Sequence, residues 1–271
     1  MTSTHLLRRT FQRIRPHMTP RLLIIGAQKA GTTALFSMLA KHPKAAPPKE
    51  KELDFFHDDA AYAKGMGHYR SLFPPIPAKS SGHFTFEASP SYLYHAERCA
   101  PRIAKDLPGV LCVAILRDPV KRAYSAWNMR RDFIHHPNRK HLFDPRSFNQ
   151  AVEDEMAGRI SDASLQYLKR GLYSDQLLEY RKHIPLPQIK VFSYNTYRTN
   201  PHHVITEICN SLNIAPLPKE HPAFKICAHS RPYTAPIEHS LAKDLYQYYA
   251  AEGIKLQKML GPCFNLIEET I

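Results

Sequence analysis

Apolar residues follow two rhythms along this chain. In RLLIIGA (21–27) and VLCVAILR (110–117) they are nearly continuous, the pattern of short strands buried on both faces. HFTFEAS (83–89) alternates apolar and polar positions, and IKVFSY (189–194) adds a further strand. Helical spacing fills the intervals. Leu35, Met38 and Leu39 share one face of TTALFSMLAKH (32–42), and similar patterns predict helices over 96–107, 147–158, 172–184, 201–212 and 239–260. Pro119 opens another helix, PVKRAYSAWNMRRDF, at a first-turn position where proline is favoured. Residues 43–56, 135–147 and 215–238 read as loops. Strands alternating with helices predict an α/β fold, a central parallel β-sheet flanked by helices on both faces. Sites in such folds lie at the carboxyl ends of the strands. Gly26–Thr33, Glu87–Ser89 and Arg117–Asp118 all fall at such ends.

The 271 residues suffice for one substantial core, expected over 21–271 behind a basic arm at 1–20. The 37 basic against 24 acidic side chains give a net charge of +13, which favours an anionic ligand, an anionic polymer or a membrane surface over a cationic partner. A basic but inert surface is the alternative. The five cysteines include no C-x-x-C pair, which argues against a disulfide framework or a zinc site, although a Cys209–Cys227 bridge stays open. No run approaches the ~20 apolar residues of a membrane span, and no apolar segment of a signal peptide follows the basic N-terminal residues. A cytoplasmic location is therefore expected, with a transit-peptide character of the arm as the other reading. No metal site is expected, and the histidines of HHPNRKH (135–141) read as a solvated basic loop.

The stretch GAQKAGTTAL (26–35) carries the most chemistry. A Walker A loop, G-x-x-x-x-G-K-[ST], needs lysine directly after its second glycine. Here Gly26 and Gly31 have the right separation and Thr33 fills the Ser/Thr slot, but Thr32 occupies the lysine slot and Lys29 stands three residues early. Between a strand and a helix, the backbone N–H groups of 29–34 would converge at a helix N-terminus, where the dipole favours an anion. The hydroxyls of Thr32 and Thr33 and the ammonium of Lys29 would add to that attraction. An ordinary strand-to-helix turn is the plain alternative.

GAQKAGTTAL resembles the 5′-phosphosulfate-binding loop of sulfotransferases that use 3′-phosphoadenosine 5′-phosphosulfate (PAPS), a family with a P-loop-type fold. Its second element, a strand ending in Arg and a helix bearing Ser, is matched by LRDPVKRAYSAW. The resemblance extends over about residues 21–261. It implies a donor site of Gln28, Lys29, Ala30, Gly31, Thr32, Thr33 and Ala34 around the phosphosulfate, with Arg117 and Ser125 on the 3′-phosphate. A guanidinium suits that phosphate because it can grip two oxygens at once. Arg122 faces elsewhere by spacing and is expected to be structural. For Arg117 the alternative is an ion pair with Asp118 or Glu87. Lys29 would neutralise the leaving 5′-phosphate, and no metal is required.

Within the family, KEKELDFFHD is similar to the E-x-x-F-F stretch of the glycan-modifying branch, the heparan sulfate N- and 3-O-sulfotransferase domains. That similarity makes Glu52 the base, with His57 as its rival and a solvated charge as the plain reading. FEASPSYLYH resembles the branch's E-K-S-x-x-Y-F segment, with Ala88 in place of its lysine. AHSRPYTAP loosely resembles the loop that closes over the nucleotide, which assigns Ser230, Arg231 and Tyr233 to the donor; Phe224 and Tyr233 would either stack on adenine or belong to the core. Tyr173, in GLYSDQL, would either reach the cleft or pack. The implied reaction is sulfuryl transfer from PAPS, released as 3′-phosphoadenosine 5′-phosphate (PAP), to a hydroxyl or amine of a small-molecule or glycan acceptor. Nucleic acid is not an expected partner. Two rival readings are a P-loop kinase or NTPase, which would use Asp118 for Mg²⁺, and a non-catalytic polyanion binder, which predicts steep salt dependence and no preference for a 3′-phosphorylated nucleotide.

Overall fold

The computed structural model describes residues 16–77, 82–226 and 235–261, with Phe264 and Leu266. Ser230, Arg231 and Tyr233, assigned above to the donor, lie outside the described residues, as do Cys227, Cys263 and most of the N-terminal arm. Four strands form one parallel sheet: β1 (Leu22–Gly26), β2 (Phe86–Ala88), β3 (Leu111–Leu116) and β4 (Ile189–Ser193), in the order β2-β1-β3-β4. The two central strands are the two continuous apolar runs of the sequence, and every residue of both is buried. That is the expected signature of strands covered on both faces. The edge strand β4 carries the partly exposed Lys190, a charge that discourages further pairing.

The helices are α1 (Thr32–Leu39), α2 (Asp59–Tyr62), α3 (Gly65–Ser71), α4 (Ser91–Tyr94), α5 (Ala96–Asp106), α6 (Pro119–Asp132), α7 (Phe148–Met156), α8 (Tyr173–His183), α9 (Tyr194–Thr199), α10 (Pro201–Ser211) and α11 (His239–Leu260). Several starts follow from local chemistry. Asp118, Ser147, Ser193 and Asn200 each cap a helix by accepting a backbone N–H with the side chain. The sequence pattern gives the main helices but not α2, α3, α4 or α9. These are short, and what fixes them is tertiary packing rather than periodicity. In α3, for example, buried Tyr69 stacks on Phe55 with ring centroids 4.6 Å apart.

One core runs along the sheet and takes in α1, α5, α8 and α10, while a second cluster joins Val120, Ala123 and Tyr124 of α6 to Phe148 of α7 and Leu245 and Tyr249 of α11. Cys99, Cys112 and Cys209 are buried free thiols, so Cys209 makes no bridge. Among the described residues no helix is long and apolar enough to cross a membrane.

Candidate active site

All four strands deliver a functional segment at their carboxyl ends. From β1 the chain enters the loop through a break in register against β3, between Ile24 and Gly26. Lys29 and Gly31 take left-handed backbone angles, with φ 68° and 86°. At Gly31 a side chain has no room: a Cβ would stand 2.8 Å from Tyr197 Cε1. The turn delivers the chain into α1, whose first turn has no acidic residue and whose N-terminus has no side-chain cap. Its N-terminus therefore combines amides without a side-chain cap and the positive end of the helix dipole, an arrangement suited to an anion. Ala30, Thr32 and Ala34 are buried, whereas Gln28, Lys29, Gly31 and Thr33 are partly exposed along the loop.

Arg117 leaves β3 beside this loop. Its guanidinium donates to the Lys29 carbonyl at 2.9 Å and lies 5.0 Å from the centroid of the Tyr194 ring. Neither ion pair considered from sequence is made. Asp118 caps α6 by accepting the Lys121 N–H at 2.9 Å and also accepts the Tyr246 hydroxyl at 3.0 Å. Glu87 is buried and accepts hydroxyls from Tyr69, Ser89 and Tyr92. Ser125 is buried on α6, the helix that starts beside Arg117. Arg122 is fully buried and donates to the Tyr167 carbonyl, the structural role its spacing predicts.

The structure adds three tyrosines beside the loop, of which sequence had weighed only Tyr173. Tyr173 is fully buried, and its hydroxyl donates to the Arg117 carbonyl at 2.9 Å, so it packs and also fixes the backbone at Arg117. Tyr194 and Tyr197, on the unpredicted α9, wall the loop at Gly31. Phe224 is partly buried and meets His202 edge-on at 5.3 Å.

The 51–57 segment is tied to the end of β2. Glu52 N–H donates to the Ala88 carbonyl at 3.1 Å, Asp54 N–H to Ser89 Oγ at 3.1 Å, and Phe56 N–H to the Tyr92 hydroxyl at 3.3 Å. Phe55 and Phe56 are buried among Tyr62, Tyr69 and Tyr92 and anchor the segment. The Glu52 side chain is 51% exposed and pairs with Lys51. Asp54 was not singled out by sequence. Burial, Glu52 and Glu87 push its carboxyl up to about 7, against smaller opposing effects of Lys51 and the Ser89 hydrogen bond. His57 Nδ1 lies 3.6 Å from Asp54 Oδ1, and its ring stacks on His95 at 4.9 Å. Burial lowers the proton affinity of His57 and takes that of His95 to about 4, which keeps both rings neutral at pH 7. Ala88 is fully buried, so this chain presents no cation where the related segment has lysine.

Residues 19–231 match the sulfotransferase domain family. The chain belongs to the sulfotransferase family. It is 29% identical over 208 residues to human bifunctional heparan sulfate N-deacetylase/N-sulfotransferase 3, and 30% identical over 215 residues to its Drosophila melanogaster counterpart. Each match covers 73% of this chain but only 22% and 20% of those relatives, so the chain spans about a fifth of their length. Among solved structures, the sulfotransferase from Alicyclobacillus acidocaldarius superposes with a TM-score of 0.68 at 22% identity, over 89% of this chain and 96% of that one. Mouse sulfotransferase SULT7A1, complexed with PAP, gives 0.52 at 11% identity over 91% and 89%. Both likenesses concern the fold, and the P-loop-type parallel sheet expected from sequence is the one observed.

Proposed function

We propose that this sulfotransferase-family chain transfers a sulfuryl group from PAPS to a hydroxyl or amine of an acceptor, probed first among carbohydrates and glycosylated metabolites. The observation that carries the reading is the hydrogen bond from Arg117 to the Lys29 carbonyl. It holds a guanidinium beside a helix-N-terminal anion loop, as a donor with two separate anionic groups requires. The residues present fit that donor: the amides of α1 have no side-chain cap, and neither carboxylate near Arg117 pairs with it. PAPS supplies the activated sulfuryl group and a phosphate leaving group. Gln28 to Ala34 would bind the phosphosulfate, and Arg117 and Ser125 the 3′-phosphate, with Ser230, Arg231 and Tyr233 as further donor contacts. Lys29 would neutralise charge on the leaving phosphate, and Glu52 would remove the acceptor's proton. Catalysis would rest on positioning and charge stabilisation, without a metal.

The kinase alternative requires Asp118 to reach a Mg²⁺ ion, yet both its oxygens already accept hydrogen bonds. A carbohydrate acceptor is supported by the similarity to heparan sulfate N-sulfotransferases, and a cytoplasmic setting by the free thiols of Cys99, Cys112 and Cys209. The test is calorimetric titration with PAP, ATP and AMP in EDTA. The expected result is binding of PAP far tighter than of AMP or ATP. Metal-dependent ATP binding would favour the kinase. Indifference to the 3′-phosphate, with steep salt dependence for a polyanion, would favour the non-catalytic reading.

A further inference from the structure

We infer that Asp54 is a second catalytic carboxylate of the acceptor site, taking up the acceptor's proton together with Glu52 under the orienting influence of His57. The inference rests on the sulfuryl-transfer reading above. Three geometric observations carry it. First, Glu52 and Asp54 both hold left-handed backbone angles, φ 65° and 54°, with only Leu53 between them. Such angles cost an L-residue about 1–2 kcal/mol each, and strain of this kind is retained where the surroundings fix a functional geometry. Second, the strained segment is bolted to the donor side: Asp54 N–H bonds Ser89 Oγ, and Ser89 N–H bonds the Ile24 carbonyl of β1, at 3.1 and 3.2 Å. β1 continues directly into the Lys29 loop, so the backbone that carries Asp54 is anchored one strand away from that loop. Third, the Asp54 carboxylate faces an imidazole, with His57 Nδ1 at 3.6 Å, and that nitrogen is buried with no hydrogen-bond partner.

The groups around Asp54 favour the same role. On its own segment Lys51 lowers its proton affinity and Glu52 raises it; on β2 Glu87 raises it, while the Ser89 hydroxyl opposes. From α5 the thiol of Cys99 is coupled to it, and His57 is in turn acted on by Asp58, Arg98 and Arg170. The outcome is a carboxyl near 7, where a general base is most effective at neutral pH. Glu52 is held in a pair with Lys51, whereas Asp54, its side chain 41% exposed, faces His57. In the step itself the acceptor's O–H or N–H bond breaks and the proton passes to a carboxylate oxygen of the pair. The freed electron pair makes the new bond to sulfur. The old bridging S–O electron pair leaves on the donor's 5′-phosphate.

The test compares Asp54→Asn, Glu52→Gln and the wild type. In wild-type kcat profiles an acid limb is expected with its midpoint at about 7. Asp54→Asn should remove that limb and lower kcat by roughly 10²–10⁴-fold while calorimetry still detects PAP. Glu52→Gln should move the limb to lower pH, because one of the like charges acting on Asp54 is gone. A limb near 7 that persists in Asp54→Asn, or a kcat within about threefold of wild type, overturns the inference.

A second readout needs neither donor nor acceptor. An aspartate raised from about 3.9 binds more protons in the folded than in the unfolded state, so wild-type stability falls as pH rises through that window. The melting temperature of Asp54→Asn, relative to wild type, should therefore climb between about pH 4 and 7 and then level off. A difference that stays flat across this range counts against the inference, because Asp54 would then not hold the proton that a base active near neutral pH exchanges. Absence of PAP binding in the wild type with the pH-dependent difference intact would instead count against the sulfotransferase reading alone.

Discussion

The loop at Gly31 leaves no room for a side chain. Gly31→Ala places a Cβ on a residue at φ 86°, a conformation costing an L-residue about 1–2 kcal/mol. The added carbon would also stand 2.8 Å from Tyr197 Cε1. That ring cannot swing clear, being 4% exposed with its hydroxyl on Met38 Sδ. Overpacking of this kind costs about 1–3 kcal/mol. Together the two effects amount to about 2–5 kcal/mol, and at about 2–4 °C per kcal/mol the melting temperature should drop by roughly 10 °C. If the loop moves to relieve the clash, the amides of the α1 N-terminus lose their alignment, and PAP affinity should fall at least roughly tenfold, the value of one charge-assisted hydrogen bond. Thermal melts and PAP calorimetry on Gly31→Ala, Tyr197→Leu and the double variant separate the parts. In the Tyr197→Leu background the clash is gone and only the backbone cost should remain. A Gly31→Ala protein melting within about 2 °C of wild type with unchanged PAP affinity would refute the reasoning.

Three further substitutions probe the donor side. Lys29→Ala should lower transfer by roughly 10²–10³-fold, the usual cost of removing one electrostatic stabiliser, while PAP binding is retained; equal losses in PAP affinity and kcat would show that the lysine acts on the ground state instead. Arg117→Ala should weaken PAP by roughly 10–150-fold, as expected for a hydrogen bond to a charged group, and an unchanged titration would exclude Arg117 from the 3′-phosphate. Tyr173→Phe removes the hydroxyl that holds the Arg117 carbonyl at 2.9 Å. It should cost about 0.5–1.5 kcal/mol in chemical denaturation and weaken PAP by no more than about tenfold; a loss confined to stability would make Tyr173 a packing residue only.

The sheet and the strand–loop–helix form of 26–35 were legible because their signals are local. Strands buried on both faces must be apolar throughout, and GAQKAGTTAL carries its turn chemistry in consecutive residues. Arg117 was legible because it follows the most apolar run of the chain. What could not be read is non-local. Tyr194 and Tyr197 reach the loop only because β4 lies next to β3, and no periodicity records that adjacency. Asp54 looked like one acid in a charged loop. Its environment is made by Glu87 and Ser89, more than thirty residues away in sequence, and by an aromatic anchor whose partners lie on α2, α3 and α4. The available hint was composition: two aromatic residues in a Pro/Lys-rich loop must be buried somewhere, and they fix whatever precedes them.

That anchor also bears on how the two halves of the proposed site would differ. The proposed donor side would rely on backbone amides, a helix dipole and one guanidinium tied to a carbonyl, features that change little with pH. The proposed acceptor side would rely on carboxylates of the 52–54 segment, whose charge is set by neighbours. Ala88 matters here. A lysine at that position would bring positive charge to the end of β2, where it would draw the proton off Asp54. With a buried alanine instead, Lys51 is opposed by both Glu52 and Glu87, and the proton affinity of Asp54 stays high. On this reasoning the departure from the E-K-S pattern and the raised Asp54 carboxyl would be two aspects of one electrostatic arrangement. Ala88→Lys, if accommodated, should lower the midpoint of the kcat acid limb without altering PAP affinity. A midpoint that stays at about 7 would separate the two features and leave the alanine as a packing choice.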